Sequence, residues 1–266
     1  MGGSEDAAII PEPSWRNDAL VLIAHGSARY PDAARTLCTH AAALRSHFAQ
    51  VATGLLNGSP SVAEAIADVT APVVHVVPFF IEQGWFVRQA IPRALSAFPG
   101  RDFHCHPPVG LHPGLPDVAA ARAVRACGPD APRYSILLVG HGSARTPGRR
   151  MALHRHVNAL SDMRRFRQVR AAFLEEPPLV ADALGAWRSR PVAVLGFLAG
   201  DGAHVREDLP ALLAAERAHR DDAAPLLDLG TIGDDPAMPR IILDQVACPG
   251  DCGQGGSDAN SREGLP

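Results

Sequence analysis

The chain has 266 residues, a formal net charge of −3 at pH 7, and a composition that is 47% hydrophobic and 20% charged. Such values are typical of globular proteins and predict one large domain or two small ones. No run of basic residues forms the stripe that neutralises phosphates, so we expect no nucleic-acid partner. The N-terminal residues lack the basic and apolar regions of a secretory signal, and no stretch approaches ~18 uninterrupted apolar residues. We therefore expect a cytoplasmic protein with no membrane partner.

Five cysteines are scattered along the chain. They do not form the paired framework of a small secreted domain, and we expect reduced thiols. Two of them, Cys248 and Cys252, lie in a C-terminal segment rich in glycine and polar residues. A Cys-x-x-x-Cys pair is able to bind metal as thiolates, but a tail without a binding role fits the segment as well. The role of this pair stays open.

The sequence contains an internal repeat. The segment ALVLIAHGSARYP recurs as SILLVGHGSARTP, which aligns His25 with His141. Two longer segments recur in the same order, with residues 53–66 matching 171–184 and residues 76–95 matching 193–213. A repeat at a period of roughly 115 residues predicts two copies of one fold.

Within each copy, short apolar runs alternate with longer segments of helical spacing, which predicts βαβ units and a parallel sheet. The fold class is therefore α/β, with two homologous halves, each a mainly parallel sheet flanked by helices. Breakers in the segment GPDAP indicate a linker between the halves. We divide the chain into an N-terminal tail, a first repeat, a second repeat and a Gly-rich tail, at residues 1–17, 18–130, 131–247 and 248–266.

Three polar residues of the second half directly follow apolar runs. His141 follows SILLVG, Glu175 follows the run that ends at Leu174, and His204 lies in the loop after VAVLGFL. Ligands bind beyond the carboxyl ends of the strands in open parallel sheets, so we expect the three side chains to converge. Two imidazoles and one carboxylate suit a borderline divalent ion and leave coordination positions open. Such a site is able to pass its metal to another molecule.

The motifs HGSAR, FLE and GAHVREDLP, each after a strand, resemble those of the class II tetrapyrrole chelatases of the CbiX and SirB type. The resemblance extends from Ala19 to Val246. Members of that family insert cobalt or iron into sirohydrochlorin, related enzymes insert nickel, and the long members carry two halves in one chain. The resemblance implies that His141, Glu175 and His204 bind the metal and act in catalysis. It also implies Co²⁺ or Fe²⁺ as a substrate, no organic cofactor, and a monomer with pseudo-two-fold halves.

The first half departs from this pattern. It keeps His25, but Asn57 stands where the second half has Glu175, and Phe86 stands where it has His204. We expect this half to form the opposite wall of a cleft, with flat apolar surface for a macrocycle from Phe79, Phe80, Trp85 and Phe86. Whether His25 contributes to metal binding is left open.

Other residues are candidates for the tetrapyrrole contact. We expect Ser143 and Arg145, with Phe86 and Trp85, to bind the macrocycle. Arg149 and Arg206 are placed to pair with its carboxylates, although solvated helix arginines have the same sequence signature. His104 and His106 share a face if their segment is a strand. They would then line the cleft or bind metal in passage, or else form an ordinary polar rim. His154 and His156 are predicted to lie at the surface of a helix.

The resemblance and the trio together predict insertion of a divalent metal into sirohydrochlorin or a related tetrapyrrole, in cobalamin or siroheme biosynthesis. A neutral imidazole of His141 or His204 would accept the pyrrole protons. The alternative is a non-catalytic metal or tetrapyrrole carrier. A hydrolase that uses Ser143 is disfavoured because neither HGSAR segment contains a G-x-S-x-G elbow. The sequence does not identify the physiological metal, because such donor sets follow general affinity orders.

Overall fold

A computed structural model describes residues 15–27, 29–30, 34–142, 151–200, 202–220 and 224–247. The first half consists of β1 (Trp15–Ala24), α1 (Arg35–Leu44), β2 (Phe48–Leu55), α2 (Val62–Ala67), β3 (Val73–Pro78), α3 (Ile91–Leu95), β4 (Asp102–Cys105) and α4 (Leu115–Cys127). The second half consists of β5 (Ser135–Gly140), α5 (Met151–Asp162), β6 (Gln168–Phe173), α6 (Val180–Gly185), β7 (Val192–Gly196), α7 (Leu209–Arg217), β8 (Leu226–Thr231) and α8 (Met238–Ala247). Strands and helices alternate in both halves.

The two sheets have the same topology. Their strand orders are β2-β1-β3-β4 and β6-β5-β7-β8, and all pairings are parallel. Every residue of the central strand β5 is buried, as expected for a parallel strand that is covered on both faces. The predicted fold class, two homologous α/β halves with parallel sheets flanked by helices, is confirmed.

The two halves share one large apolar core. It contains side chains from both sheets, including Leu22 and Phe79 from the first half and Leu138 and Phe197 from the second. Each half also has a smaller cluster on the other face of its sheet. Helices between the two sheets contribute to the shared core. The opposite face of each sheet is covered by helices of its own half.

Two equivalent histidines connect the halves. His40 Nε2 of α1 lies 2.8 Å from the Gly233 carbonyl oxygen, and His156 Nε2 of α5 lies 2.7 Å from the Gly110 carbonyl oxygen. A carbonyl only accepts, so each imidazole donates from Nε2. The predicted surface position of His156 is wrong, because this side chain is 5% exposed and is buried between the halves. His154 on the same helix is exposed, as predicted.

The observed element bounds adjust the expected division of the chain. Strand β1 begins at Trp15, so residues 15–17 belong to the first strand and not to the tail. The expected boundary at residue 130 falls within a 3-10 helix at Gly128–Arg133, which connects α4 to β5. The tail at 248–266, with Cys248 and Cys252, lies outside the described residues, and the division into domains stays a prediction. None of the helices in the described part of the chain has the length and apolarity to span a bilayer.

Candidate metal centre

Three loops bring His141, Glu175 and His204 together at the carboxyl edge of the second sheet. His141 follows β5, Glu175 lies beyond β6, and His204 begins a π-helical turn after β7. The Glu175 backbone N–H donates to the His141 carbonyl at 3.0 Å, which ties two of the loops to each other. One ligand atom from each of the three side chains lies within 4.8 Å of the others. The arrangement is that of an open site with three protein ligands.

The carboxylate of Glu175 lies beside both imidazoles. Its Oε2 is 3.7 Å from His141 Nδ1, and its Oε1 is 3.8 Å from His204 Nε2. The two rings meet edge to face with their centroids 4.2 Å apart. All three side chains are at least partly exposed, so an ion has access to them.

Hydrogen bonds fix which imidazole nitrogens carry a lone pair. His141 Nδ1 lies 2.8 Å from the Gly142 carbonyl oxygen, so Nδ1 donates and Nε2 keeps the lone pair. His204 Nδ1 lies 2.7 Å from Asp208 Oδ2, which leaves Nε2 as the metal-facing atom. A carboxylate behind a ligating histidine fixes its tautomer and raises its basicity. Sequence reasoning missed Asp208, although its i+4 spacing from His204 in a helical segment was a usable signal.

The corresponding loops of the first half have the same backbone geometry. His25 Nδ1 lies 2.8 Å from the Gly26 carbonyl oxygen, and the Asn57 N–H donates to the His25 carbonyl at 2.8 Å. Phe86 begins a π-helical turn, as His204 does. The first half therefore repeats the frame of the site, but it offers a single imidazole in place of three ligands.

The sequence profile of the CbiX family matches residues 19–126 and 135–248, which is most of both halves. The chain belongs to the CbiX family. A probable sirohydrochlorin cobaltochelatase of Halobacterium salinarum is 26% identical over 264 residues and is matched over 86% of this chain and 90% of its own length.

Solved structures give the same result. A multi-domain Deinococcus radiodurans protein with structural similarity to chelatases is 27% identical to this CbiX-family chain, with a TM-score of 0.75 over 86% of it. The present chain spans 55% of that protein. A CbiX described as the terminal enzyme of siroheme biosynthesis in denitrifying bacteria is 25% identical, with a TM-score of 0.66, and the match covers 86% of this chain and 98% of that one.

In this CbiX-family chain, both halves line a cavity of ≈ 560 Å³. His141 and His204 line it from the second half, and His25 and Phe86 line it from the first. Glu175 is not among the described lining residues, but its neighbour Glu176 is, and Glu176 is 5% exposed. The two proposed histidine ligands therefore line a mainly apolar cavity large enough for part of a macrocycle, and Glu175 lies beside them.

Three of the four aromatic residues expected at the cleft are among the described residues that line the cavity. Phe80 and Phe86 both line the cavity, and their rings stack with centroids 6.3 Å apart. Phe79 lines it as well, but this residue is only 2% exposed, and its ring packs against His40 with the ring centroids 5.6 Å apart. Trp85 is 61% exposed, and its ring lies against Phe86 with the centroids 5.3 Å apart. It is not among the described residues that line the cavity.

The turn that carries His204 is also connected to the first half. Glu207 accepts a hydrogen bond from Arg29 at 3.0 Å and another from the Tyr30 hydroxyl. The Arg206 guanidinium lies 5.3 Å from the centre of the Tyr30 ring. Arg206 directly follows Val205, which lines the cavity, and its predicted role in binding the tetrapyrrole stays a prediction. Ser143, Arg145 and Arg149 lie outside the described residues.

The histidines of the segment FHCHPP lie elsewhere. His106 is 8% exposed, and its Nε2 lies 3.0 Å from His75 Nδ1. His104 is exposed beside Asp102, with 3.4 Å between its Nε2 and Oδ1 of the carboxylate. Neither His104 nor His106 is among the described residues that line the cavity. For His106, burial contradicts an ordinary polar rim and its place outside the described lining contradicts cleft lining, while metal binding in passage stays a prediction.

A carboxylate of the first half is an unexpected member of the cavity wall. Glu82 lies in the loop after β3, lines the cavity and is half-buried. Burial raises the pKa of Glu82 to about 7, while the backbone N–H of Leu153 and the charge of Arg155 act in the opposite direction. An acidic residue inside the apolar run PFFIEQGWF was the sequence signal for it, because such a run predicts burial.

Proposed function

We propose that this chain inserts a divalent metal ion into sirohydrochlorin or a closely related tetrapyrrole, as a step of cobalamin or siroheme biosynthesis. The observation that carries the proposal is the open group of His141, Glu175 and His204 at the wall of a cavity shared by two halves of a CbiX-family chain. The relatives support it, since one is a probable sirohydrochlorin cobaltochelatase and another acts in siroheme biosynthesis.

The metal is a substrate in this reaction and not a resident cofactor. Two imidazoles and a carboxylate hold it with enough affinity to collect it, and the open positions allow pyrrole nitrogens to bind. As each pyrrole nitrogen coordinates, one protein ligand is released. The hydrogen bond from His204 Nδ1 to Asp208 keeps the ring in place during this exchange.

The first half supplies the macrocycle surface in this proposal. Phe80 and Phe86 offer stacked aromatic faces to the cavity. Arg206 follows the lining residue Val205, and we propose that its guanidinium pairs with carboxylates of the substrate. We also propose that Ser143, Arg145 and Trp85 contact the tetrapyrrole, as expected from the sequence.

We further propose that the chain acts as a monomer, because the two halves already form one cavity. His40 and His156 join them through two equivalent hydrogen bonds, and the apolar core is continuous between them. The cytoplasmic location and the choice among cobalt, iron and nickel stay predictions.

The test is metal insertion by the purified protein. Sirohydrochlorin is incubated without oxygen with Co²⁺, Fe²⁺ or Ni²⁺, and formation of the metallated macrocycle is followed by absorbance with a catalytic amount of protein. We expect many turnovers per chain with at least one metal, and little product with His204→Ala. A yield limited to one product per chain would favour the carrier, and no product above the protein-free rate with any metal would overturn the proposal.

A further inference from the structure

Metal insertion releases two protons, and the residues of the metal centre are poorly placed to take them. Each pyrrole N–H bond breaks with its electron pair left on nitrogen, which then binds the metal. A ligating imidazole uses its lone pair for the metal and has none for a proton until it dissociates. In His141 and His204 the other ring nitrogen already donates a hydrogen bond. A pyrrole nitrogen must lose its proton before it coordinates, and an imidazole of the trio is released only as that nitrogen coordinates. The acceptor expected from the sequence, a neutral imidazole of the trio, is therefore still occupied when the proton leaves.

Two carboxylates are among the described residues that line the cavity, Glu82 and Glu176. Glu176 directly follows Glu175, is 5% exposed and packs against the Gly142 backbone. Glu82 belongs to the other half, and its side chain lies on the cavity without belonging to the metal centre. We propose that Glu82 is the proton acceptor of metal insertion, an inference that rests on the proposed chelatase function.

The repeat shows that Glu82 is specific to the first half. Phe79 N–H donates to the Ile23 carbonyl at 2.7 Å, and Phe197 N–H donates to the Val139 carbonyl at 2.6 Å, so the two loops leave their sheets in the same way. Counting three residues onward from each phenylalanine gives Glu82 in one half and Gly200 in the other. The half that lacks a complete set of metal ligands thus carries the carboxylate, and the half that has the complete set has a glycine there.

The surroundings of Glu82 suit reversible proton transfer. Burial beside apolar cavity residues raises its pKa to about 7, and a proton acceptor works best when its pKa is near the working pH. The backbone N–H of Leu153 and the guanidinium of Arg155, both from α5, stabilise the ionised form. The remaining titratable side chains of the described lining are His25, His141, His204 and Glu176.

The proton balance is simple. The carboxylate of Glu82 takes one proton from a pyrrole nitrogen and becomes a neutral acid. It then releases that proton to bulk water, which restores the carboxylate for the second pyrrole N–H. The macrocycle loses two protons and gains a divalent cation, so its charge is unchanged.

Glu82→Gln separates this role from a structural one. The glutamine oxygen still accepts from the Leu153 N–H, and the side chain keeps its size, but it cannot take up a proton. Protein loaded with Co²⁺ is mixed with sirohydrochlorin, and insertion in the first turnover is followed by absorbance. We expect the rate to fall by about 10²-fold or more, the usual size of a general-base contribution. Co²⁺ affinity, measured by equilibrium titration without tetrapyrrole, should stay within about twofold.

The pH profile provides a second readout. At saturating Co²⁺ the wild-type rate should rise through about pH 7 as Glu82 ionises, and this inflection should be missing in Glu82→Gln. Glu82→Asp, which keeps a carboxylate, should retain more of the rate than Glu82→Gln. The matched control is Asp162→Asn, an exposed carboxylate on α5, which should behave as wild type.

Each outcome discriminates. If wild type inserts metal and Glu82→Gln does so at the same rate and with the same pH profile, Glu82 is not the proton acceptor. The same conclusion follows if Glu82→Gln is active and only Glu82→Ala is slow, because the side chain then serves only as a hydrogen-bond acceptor. If wild type itself inserts no metal, the proposed function fails instead. A loss of rate in Glu82→Gln with unchanged Co²⁺ affinity and a lost inflection supports the inference.

Discussion

Phe86 lies edge to face against His25, with ring centroids 4.6 Å apart and an angle of 88° between the planes. His204 meets His141 in nearly the same way, at 4.2 Å and 84°. A phenyl ring thus takes the place of an imidazole in the first half without a change in local packing. The first half therefore has the same ring packing without the second imidazole.

This relationship predicts an asymmetric response to loss of the two equivalent histidines. His141→Ala should weaken Co²⁺ binding by at least ~10 to 100-fold, the cost usually seen even for partners that only support a ligand. His25→Ala should leave Co²⁺ affinity nearly unchanged, because neither Phe86 nor Asn57 completes a site around it. Equilibrium titration and the insertion rate measure both effects.

Circular dichroism on both variants checks that each remains folded. Equal damage from His25→Ala and His141→Ala, in folded protein, would show that the first half also handles metal, and the division of roles between the halves would have to be abandoned.

Asp208 provides a prediction about support of the metal centre. Its carboxylate accepts from His204 Nδ1 at 2.7 Å, which holds Nε2 toward Glu175. In Asp208→Asn the amide is a weaker acceptor, so the imidazole is less basic and less well oriented. We expect Co²⁺ affinity to fall by about 10-fold, within the range for such partners. Titration of Co²⁺ into the variant measures it.

Glu207→Gln is the matched control, because Glu207 lies on the same turn but pairs with Arg29 of the first half. Its Co²⁺ affinity should stay near wild type. If the two variants lose affinity equally, the effect of Asp208 comes from distortion of the turn.

The sequence predicted what is encoded locally and by repetition. HGSAR after an apolar run places His141 at a strand end, and Glu175 and His204 follow two further apolar runs of the same half. Parallel strands present their carboxyl ends at one edge, so the sequence predicts that the three side chains converge. It did not predict the environment of Glu82 or the burial of His156. Both depend on how the halves pack: Glu82 meets Leu153 of the second half, and His156 bonds to Gly110 of the first. Periodicity within one element carries no information about such contacts.

Close packing at Gly110 predicts a large effect of one added methyl group. A Cβ there would lie 2.1 Å from the Ile81 carbonyl oxygen, and the equivalent Gly233 meets the Ala199 carbonyl oxygen at 2.3 Å. Backbone atoms cannot yield as a side chain can, so Gly110→Ala should lower the free energy of unfolding by about 1–3 kcal/mol or more. Urea denaturation measures it.

A Cβ at Gly84, in the loop after β3, would have nothing within 4 Å. Gly84→Ala is therefore the control and should change the free energy of unfolding by less than ~0.5 kcal/mol. If Gly110→Ala is as stable as Gly84→Ala, the close approach of the two backbones is not a feature of the folded protein.

The buried pair His75 and His106 predicts a loss of stability in acid. Burial lowers the pKa of both imidazoles, and that of His106 to about 4. In the unfolded chain a histidine has a pKa of about 6.5. Between these values the unfolded state binds a proton that the folded state excludes, so the free energy of unfolding should fall as pH drops from about 6.5 toward 4. Urea denaturation at several pH values measures the slope.

His106→Gln removes one titrating group from this pair and should flatten the slope, whatever it does to stability at pH 7. His154→Gln, on the exposed face of α5, should leave the slope as it is in wild type. A slope that is unchanged in His106→Gln would mean that other groups dominate the acid sensitivity.

The last prediction is that a second metal centre can be built in the first half by two substitutions. Asn57→Glu and Phe86→His supply the two missing ligand types. Their backbone positions match those of Glu175 and His204: Asn57 N–H donates to the His25 carbonyl at 2.8 Å, and Glu175 N–H donates to the His141 carbonyl at 3.0 Å. His25 is already oriented by the Gly26 carbonyl. We expect the double variant to bind two Co²⁺ per chain where wild type binds one, as measured by equilibrium dialysis with metal analysis.

Binding by the new site can be isolated in a His141→Ala background, where the double substitution should restore one Co²⁺ per chain. The first half has Ala90 where the second has Asp208. The Co²⁺ affinity of the new site should therefore be about 10-fold lower than that of the original site, the same loss that we expect for Asp208→Asn. Asn57→Glu alone is the control and should add no metal, because one imidazole and one carboxylate make a poor chelate. If the folded double variant still binds a single Co²⁺, and none in the His141→Ala background, then matching backbone frames and ligand types are not sufficient for the site, and groups outside the trio must help to form it.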